Sequence, residues 1–195
     1  MISNEIIKYS QLNSLQKEEA VEVFLEGFGH MISFSKDKQD QKDIFSVAFH
    51  PEYFYTYIEN GKVLGILGIA TNRIRPIKFD LDQCVRILGK RKGYLVCKQM
   101  NLIFQSKVVK KETDLYIDVL ATTRNARGRG IGTKLLEFAF AFPTYKDCYI
   151  EVLSKNHNAK RLYEKCGFVT YKRKFVSFLS LMGSGYPIKL KRNLD

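Results

Sequence analysis

The stretch LYIDVLATTRNARGRGIGTKLL, residues 115–136, decides how the rest of the chain is read. Its first part carries Tyr116, Ile117 and Val119, the β-branched and aromatic residues of a strand. Its last part has the apolar spacing of an amphipathic helix starting near Gly130. Between them Gly128, Gly130 and Gly132 alternate with Arg127, Arg129 and Ile131. Glycines at this spacing let the backbone turn tightly and approach a ligand with no Cβ in the way. The helix start adds unpaired N–H groups at the positive end of its dipole, so the stretch has the makings of an anion cradle.

Outward from this stretch the chain alternates strands and helices. The helix is expected to continue to residue 142, where Pro143 ends it. Residues 147–153 (DCYIEVL) read as a strand. Asn156 is a good N-cap for a further helix with Ala159, Leu162, Tyr163 and Cys166 on one face, stopped by Gly167. Residues 168–171, 175–179 and 188–191 read as closing strands. Before the opening stretch, residues 2–9 form a strand pattern, and residues 14–28 and 38–49 form helical ones. Residues 53–58 and 62–70 are β-rich runs on either side of Asn60-Gly61, a strong hairpin signal because both residues tolerate positive φ. Residues 72–113 hold two helical patterns, 81–88 and 94–106. Their apolar positions, among them Val85, Leu88, Leu95, Val96, Leu102 and Ile103, imply packing onto something, either a sheet face or a substrate site. The expected fold is α/β or mixed-sheet, with no internal repeat.

At 195 residues the chain suits one domain with a substantial core. Hydrophobic residues at 45% and charged residues at 27% are those of a folded protein. The start, MISNEIIKYS, carries Glu5 and no extended apolar run, and residues 63–70 are too short to span a bilayer, so a cytoplasmic protein without a membrane partner is expected. Cys84, Cys97, Cys148 and Cys166 lie far apart and read as buried thiols; no metal site is expected. The formal charge of +12 is either a solvated basic surface or a polyanion site. Its clusters, at residues 90–92, 107–111, 172–174 and 189–192, match no nucleic-acid module.

Alone, the glycine turn is a weak signal. It completes neither the G-x-G-x-x-G of a dinucleotide fold, since Thr133 stands at the third glycine, nor a P-loop. Its surroundings are more specific. A strand, R-x-x-G-x-G opening a helix, the strand Ile150-Glu151-Val152, and then N-x-x-A-x-x-L-Y-x-x-x-G-F follow in order. The last pattern is filled by Asn156, Ala159, Leu162, Tyr163, Gly167 and Phe168. This arrangement resembles the GNAT superfamily of acyl-CoA-dependent N-acetyltransferases, closely over residues 115–171 and more loosely before them. Residues 72–113 depart from the family, which often joins its two central strands by a shorter hairpin.

The resemblance implies a mixed, mostly antiparallel sheet flanked by helices, with strands splayed at the cofactor site and a helical insertion near 72–113. It implies one acetyltransferase domain over residues 1–195, monomeric or homodimeric, moving an acetyl group from acetyl-CoA to a primary amine in a ternary complex. Leu120, Ala121 and Thr122 would offer backbone groups to the pantetheine arm. The amides of Arg127, Gly128, Arg129, Gly130, Ile131 and Gly132, with Thr133, would hold the pyrophosphate. Hydrogen bonds to a charged partner contribute about 1.5 to 3 kcal/mol each, against about 0.3 to 1 kcal/mol for the dipole, so backbone geometry outweighs the arginine charges. By the family pattern Tyr163 is the acid that protonates the leaving thiolate, unless it is a core tyrosine. Glu151 matches a position that serves as base in some members, and Asp118 on the preceding strand is its rival. Asn156 would bind the cofactor, cap its helix, or do both. The acceptor stays open among a small amine, an amino-acid derivative and a protein amine. A fold kept as a binding module for RNA or another polyanion is the alternative.

Overall fold

The structure is a computed structural model that describes residues 4–32, 34–173 and 185–195. In chain order its elements are β1 (Asn4–Lys8), α1 (Ser14–Phe28), α2 (Lys38–Phe45), β2 (Phe54–Glu59), β3 (Lys62–Ala70), α3 (Leu81–Leu88) and α4 (Lys90–Phe104). They continue with β4 (Asp114–Thr122), α5 (Ile131–Phe140), β5 (Asp147–Leu153), α6 (His157–Lys165), β6 (Val169–Arg173) and β7 (Pro187–Asn193). The strands form one sheet in the order β1-β2-β3-β4-β5-β7-β6. Every neighbouring pair is antiparallel except β4 and β5, which run parallel. This is the expected mixed, mostly antiparallel sheet flanked by helices.

Two apolar clusters sit on opposite faces of the sheet, as the period-2 alternation of strands requires. Phe54 and Ile58 of β2 join Val21 and Phe24 of α1 and Phe45 of α2 on one face. Tyr55 and Tyr57 of the same strand join Leu135 and Leu136 of α5 on the other. The turn between β2 and β3 holds Asn60 at φ 52° and Gly61 at φ 79°, as the Asn-Gly signal predicts. All four cysteines are buried free thiols, and burial pushes Cys84 up to about 12.

Several boundaries differ from the sequence reading. The α2 helix stops at Phe45 instead of residue 49, because the chain beyond it pairs with the segment before α3. Lys78 N–H donates to Ala48 O (2.9 Å), His50 N–H donates to Pro76 O (2.8 Å), and Phe49 bridges Ile77. The α5 helix ends at Phe140, two residues early, since a residue before proline is pushed out of the α region. The α4 helix starts at Lys90 rather than residue 94 and runs through Gly93. A glycine mid-helix is explained by packing: a Cβ at Gly93 would lie 2.4 Å from the backbone O of Cys84 in α3. The expected strand at 175–179 lies outside the described residues.

The 72–113 segment packs, but not with every apolar residue expected. Val96 is buried, and Leu88 packs against the α1–α2 cluster. Asn101 fastens α4 to the backbone of Phe79, accepting from its N–H at 2.8 Å and donating to its O at 2.9 Å. By contrast Leu95, Leu102 and Ile103 face outward at 56%, 78% and 62% exposure, which corrects the expectation that they pack. Among the described residues no helix is long and apolar enough to cross a membrane.

Replacing Gly93 by Ala should therefore destabilise the protein by about 1–3 kcal/mol, the usual cost of forcing an extra methyl into a packed contact. Denaturant melts would measure it; unchanged stability would mean that α3 and α4 can move apart freely.

Candidate active site

The parallel pairing of β4 and β5 is short. It runs from Asp114 opposite Asp147 to Ile117 opposite Ile150 and then stops, although β4 continues to Thr122 and β5 to Leu153. Beyond that point each strand stays bonded only on its outer edge. On one side Gly65, Ile66 and Leu67 pair with Thr122, Ala121 and Leu120. On the other Glu151, Val152 and Leu153 pair with Lys189, Ile188 and Pro187. The inner edges face each other across a wedge, where their N–H and C=O groups lack a strand partner.

A bulge at the base of the wedge re-aims β4. Val119 pairs with Gly68 and Ile117 with Ile69, so Asp118 is the extra residue. One residue of slip exchanges the two faces. Leu115 and Ile117 belong to the α5–α6 side, whereas Val119 and Ala121 belong to the α1 side.

Helices close the wedge because small residues let them approach. A Cβ at Gly27 near the end of α1 would lie 3.0 Å from the Ala121 Cβ, and one at Gly65 would lie 2.8 Å from Ile131 Cγ2. Hence the end of α1, with Phe28, His30 and Met31, forms one rim, and the start of α5 forms the other. The resulting cleft has a volume of about 1230 Å³. That exceeds the ~300–1,000 Å³ of ordinary small-molecule pockets and suits an elongated ligand.

At the α5 rim Gly130 is the N-cap in the left-handed region (φ 78°), and Gly128 has the same φ. A Cβ at either would meet nothing within 4 Å, so bare backbone borders open space. The first α5 bond of this kind is Lys134 N–H to Gly130 O (3.0 Å), leaving the amides of Ile131, Gly132 and Thr133 without an intrahelical acceptor. No side chain caps the helix. A phosphate fits such an end.

The sequence candidates converge on the cleft with one exception. Leu120, Ala121, Thr122, Arg127, Gly128, Gly130, Ile131, Gly132, Thr133 and Asn156 line it, as do Tyr163, Glu151 and Asp118. The Arg129 side chain does not; it turns away to pair with Glu59 on β2. Asn156 caps α6, its side-chain oxygen accepting from Ala159 N–H at 3.1 Å.

The chemistry-bearing groups differ in what already occupies them. Tyr163 is buried on α6 against Phe168, with ring centroids 6.0 Å apart, and burial holds its phenol protonated well above its ordinary value. No hydrogen bond of its hydroxyl to another described residue is found. Glu151 lies 3.8 Å from Lys189 Nζ, an ion pair beyond hydrogen-bond length. Asp118 is fully engaged: Arg75 Nε donates to one carboxylate oxygen (2.9 Å) and Nη2 to the other (2.8 Å). The pair is 10% and 9% exposed. Burial pushes the Asp118 carboxyl up, with Arg75 opposing. Arg75 also donates to the backbone O of Ser106, just after α4, so it ties the inserted segment to the cleft.

Sequence reasoning missed Arg75, Phe28, His30 and Met31. No local pattern marks them. Arg75 precedes a proline in an irregular stretch, and the rim residues sit at and just after the end of α1. Among the described residues no group of three or more His, Cys, Asp or Glu could hold a metal ion.

A sequence profile described as the acetyltransferase (GNAT) family matches residues 17–168. The chain belongs to that family. Solved structures agree in fold. An N-acetyltransferase from Staphylococcus aureus Mu50 superposes with TM-score 0.67 at 18% identity, covering 96% of this chain and 99% of its own. The NatC complex bound to Gag peptide and CoA contains a chain with TM-score 0.58 and 19% identity, covering 100% and 99%. The ribosomal-protein-S18-alanine N-acetyltransferase from Escherichia coli gives 0.56 at 13% identity, covering 99% and 95%. Among curated proteins nothing matches the chain by sequence.

Replacing Arg75 by Gln strands a buried carboxylate and should lower stability by about 3–5 kcal/mol near neutral pH. A carboxyl whose folded pKa lies above its unfolded one weakens the fold as pH rises, so the loss should shrink on acidification. Melts at several pH values test this. Replacing Arg75 and Asp118 together by Met and Leu should recover most of the stability. A Gln variant as stable as the parent would show that the pair carries no weight.

Proposed function

We propose that the chain is one GNAT domain that moves the acetyl group of acetyl-CoA to a primary amine by direct transfer in a ternary complex. The observation that carries this reading is the wedge between β4 and β5, which ends at the bare α5 N-terminus. In this reading Leu120, Ala121 and Thr122 bind the pantetheine arm through strand backbone. Gly128, Gly130, Ile131, Gly132 and Thr133 hold the pyrophosphate with their amides, beside Arg127. The family match and a structural neighbour solved with CoA support the choice of donor.

The chemistry follows from the groups facing the cleft. The amine nitrogen bonds to the thioester carbonyl carbon as the C–S bond breaks. The amine, with an ordinary pKa near 10.4, must lose a proton, and the departing thiolate must gain one. Tyr163, kept neutral by burial, is the donor to sulfur. Glu151 is the base, directly or through water. Asp118 is less suited, since the Arg75 fork occupies both of its oxygens. Asn156 orders the turn into α6 and so positions Tyr163.

The polyanion-binding alternative loses one of its clusters. Lys191 pairs with Asp147 at 2.9 Å, Lys189 pairs with Glu151, and Arg192 lies 4.1 Å from the Phe140 ring centroid. The charges at 189–192 therefore already face two carboxylates and an aromatic ring.

Acetyl-CoA at a hundredfold excess over its dissociation constant should stabilise the protein by about 2.7 kcal/mol, or raise its melting midpoint by roughly 5–10 °C. Replacing Gly130 by Val should abolish most of that shift; no shift in the parent protein would sink the proposal. An acceptor screen read by free-thiol release identifies the amine. With that acceptor, Tyr163→Phe should lower turnover by about a hundredfold while leaving acetyl-CoA binding nearly unchanged. Unchanged turnover removes Tyr163 from the reaction.

A further inference from the structure

The outer face of α4 has a composition that the fold does not explain. Residues 91, 95, 98 and 102 fall on one helical meridian, and all are exposed: Arg91, Leu95, Lys98 and Leu102. Tyr94 borders it at 53% exposure, Ile103 is exposed at 62% about a quarter-turn further round, and Leu102 reaches 78%. The hydrophobic effect opposes leaving these side chains in water. Lys90 and Lys92 add charge at the start of the helix, and Lys107, Lys110 and Lys111 follow its end, all exposed. Between Asp82 and Glu112 the chain has no acidic residue. None of these cations has an ion-pair partner among the described residues. Those in the first turn of α4 sit where the helix dipole disfavours them. Neither the aliphatic tips nor the charges stabilise the folded chain, so both point outward to a partner.

We propose that the outer face of α4 docks the protein on an anionic phospholipid surface. The mixture selects this partner over others. Two copies of the face would set cation against cation, which disfavours self-association. A nucleic acid would match the charge, but it offers no return for Leu95, Leu102 and Ile103, and single-stranded binders rely on stacked aromatics, of which the face has only Tyr94. Protein interfaces deplete lysine, and their dominant residues are Trp, Tyr and Arg rather than Leu. Lysine flanking exposed aliphatics is the pattern of an interfacial helix: the apolar tips enter the headgroup boundary while the long lysine stems lay ammonium groups among the phosphates. This departs from the sequence expectation of no membrane partner, which rested on the want of a spanning segment. It stands independently of the acetyl-transfer reading.

The test is co-sedimentation of the full chain with phosphatidylcholine vesicles, with and without about a third phosphatidylglycerol. Binding should need the anionic lipid and weaken as salt rises. Replacing Arg91, Lys92 and Lys98 by Gln should lower the partition coefficient by roughly a hundredfold, at about fivefold per charge. The same change at Lys36, Lys38 and Lys62, exposed elsewhere on the chain, should do far less. Replacing Leu95 and Leu102 by Gln should weaken binding about tenfold or more with all charges kept. Melting midpoints should match the parent protein, since all these positions are exposed. Equal binding to both vesicle types overturns the proposal. So does equal loss from the two charge sets, or Leu variants that bind like the parent. Retention of RNA but not vesicles, unchanged by the Leu substitutions, would assign the face to a polyanion instead.

Discussion

The parting of β4 from β5 after Ile117 and Ile150 is the constraint on which the rest of the site depends. A sheet is held by ladder bonds, and a strand that loses one ladder must be held by the other. Here β3 holds β4 and β7 holds β5, so the two strands diverge without unravelling. The bulge at Asp118 places the parting, because the extra residue twists β4 and exchanges its faces at that position. Unpaired backbone in a wedge is costly when dry, which makes it a surface for a ligand with its own donors and acceptors.

Helix placement follows from the wedge. The approach of α5 onto β3 needs Gly65, and that of α1 onto β4 needs the Gly27–Ala121 contact. These small residues set how far the rims stand apart. Ile131, Gly132 and Thr133 at the start of α5 and Tyr163 of α6 then line the cleft between them.

The inserted segment serves two purposes. Its inner side is structural, with Asn101 and Gln83 bonded to backbone and Phe79 in the core. Through Arg75 it also reaches the wedge, where the guanidinium engages both carboxylate oxygens of Asp118. Its outer side carries the exposed aliphatics of α4 and cations without an ion-pair partner among the described residues.

Residues 115–136 and 147–168 revealed strand, glycine turn and helix in order, because the signals there are local: β-branched runs, glycines at positive φ, an asparagine cap. Their ends were less legible, since Phe49 left its helix for a pairing with Ile77 and Phe142 left its own ahead of Pro143. The cleft residues named from the sequence line the cleft, save the Arg129 side chain, drawn off by Glu59 across the sheet. The mixed sheet, the glycine turn that opens α5 and the family were all legible in the sequence, because each rests on spacing within a few dozen residues. Only the tertiary structure decided that Asp118 is the bulged residue, that Arg75 from 43 positions away clamps it, and that Leu95, Leu102 and Ile103 face solvent. Those outcomes depend on which surfaces meet across the sheet, and hydrophobic periodicity marks an apolar face without saying what covers it.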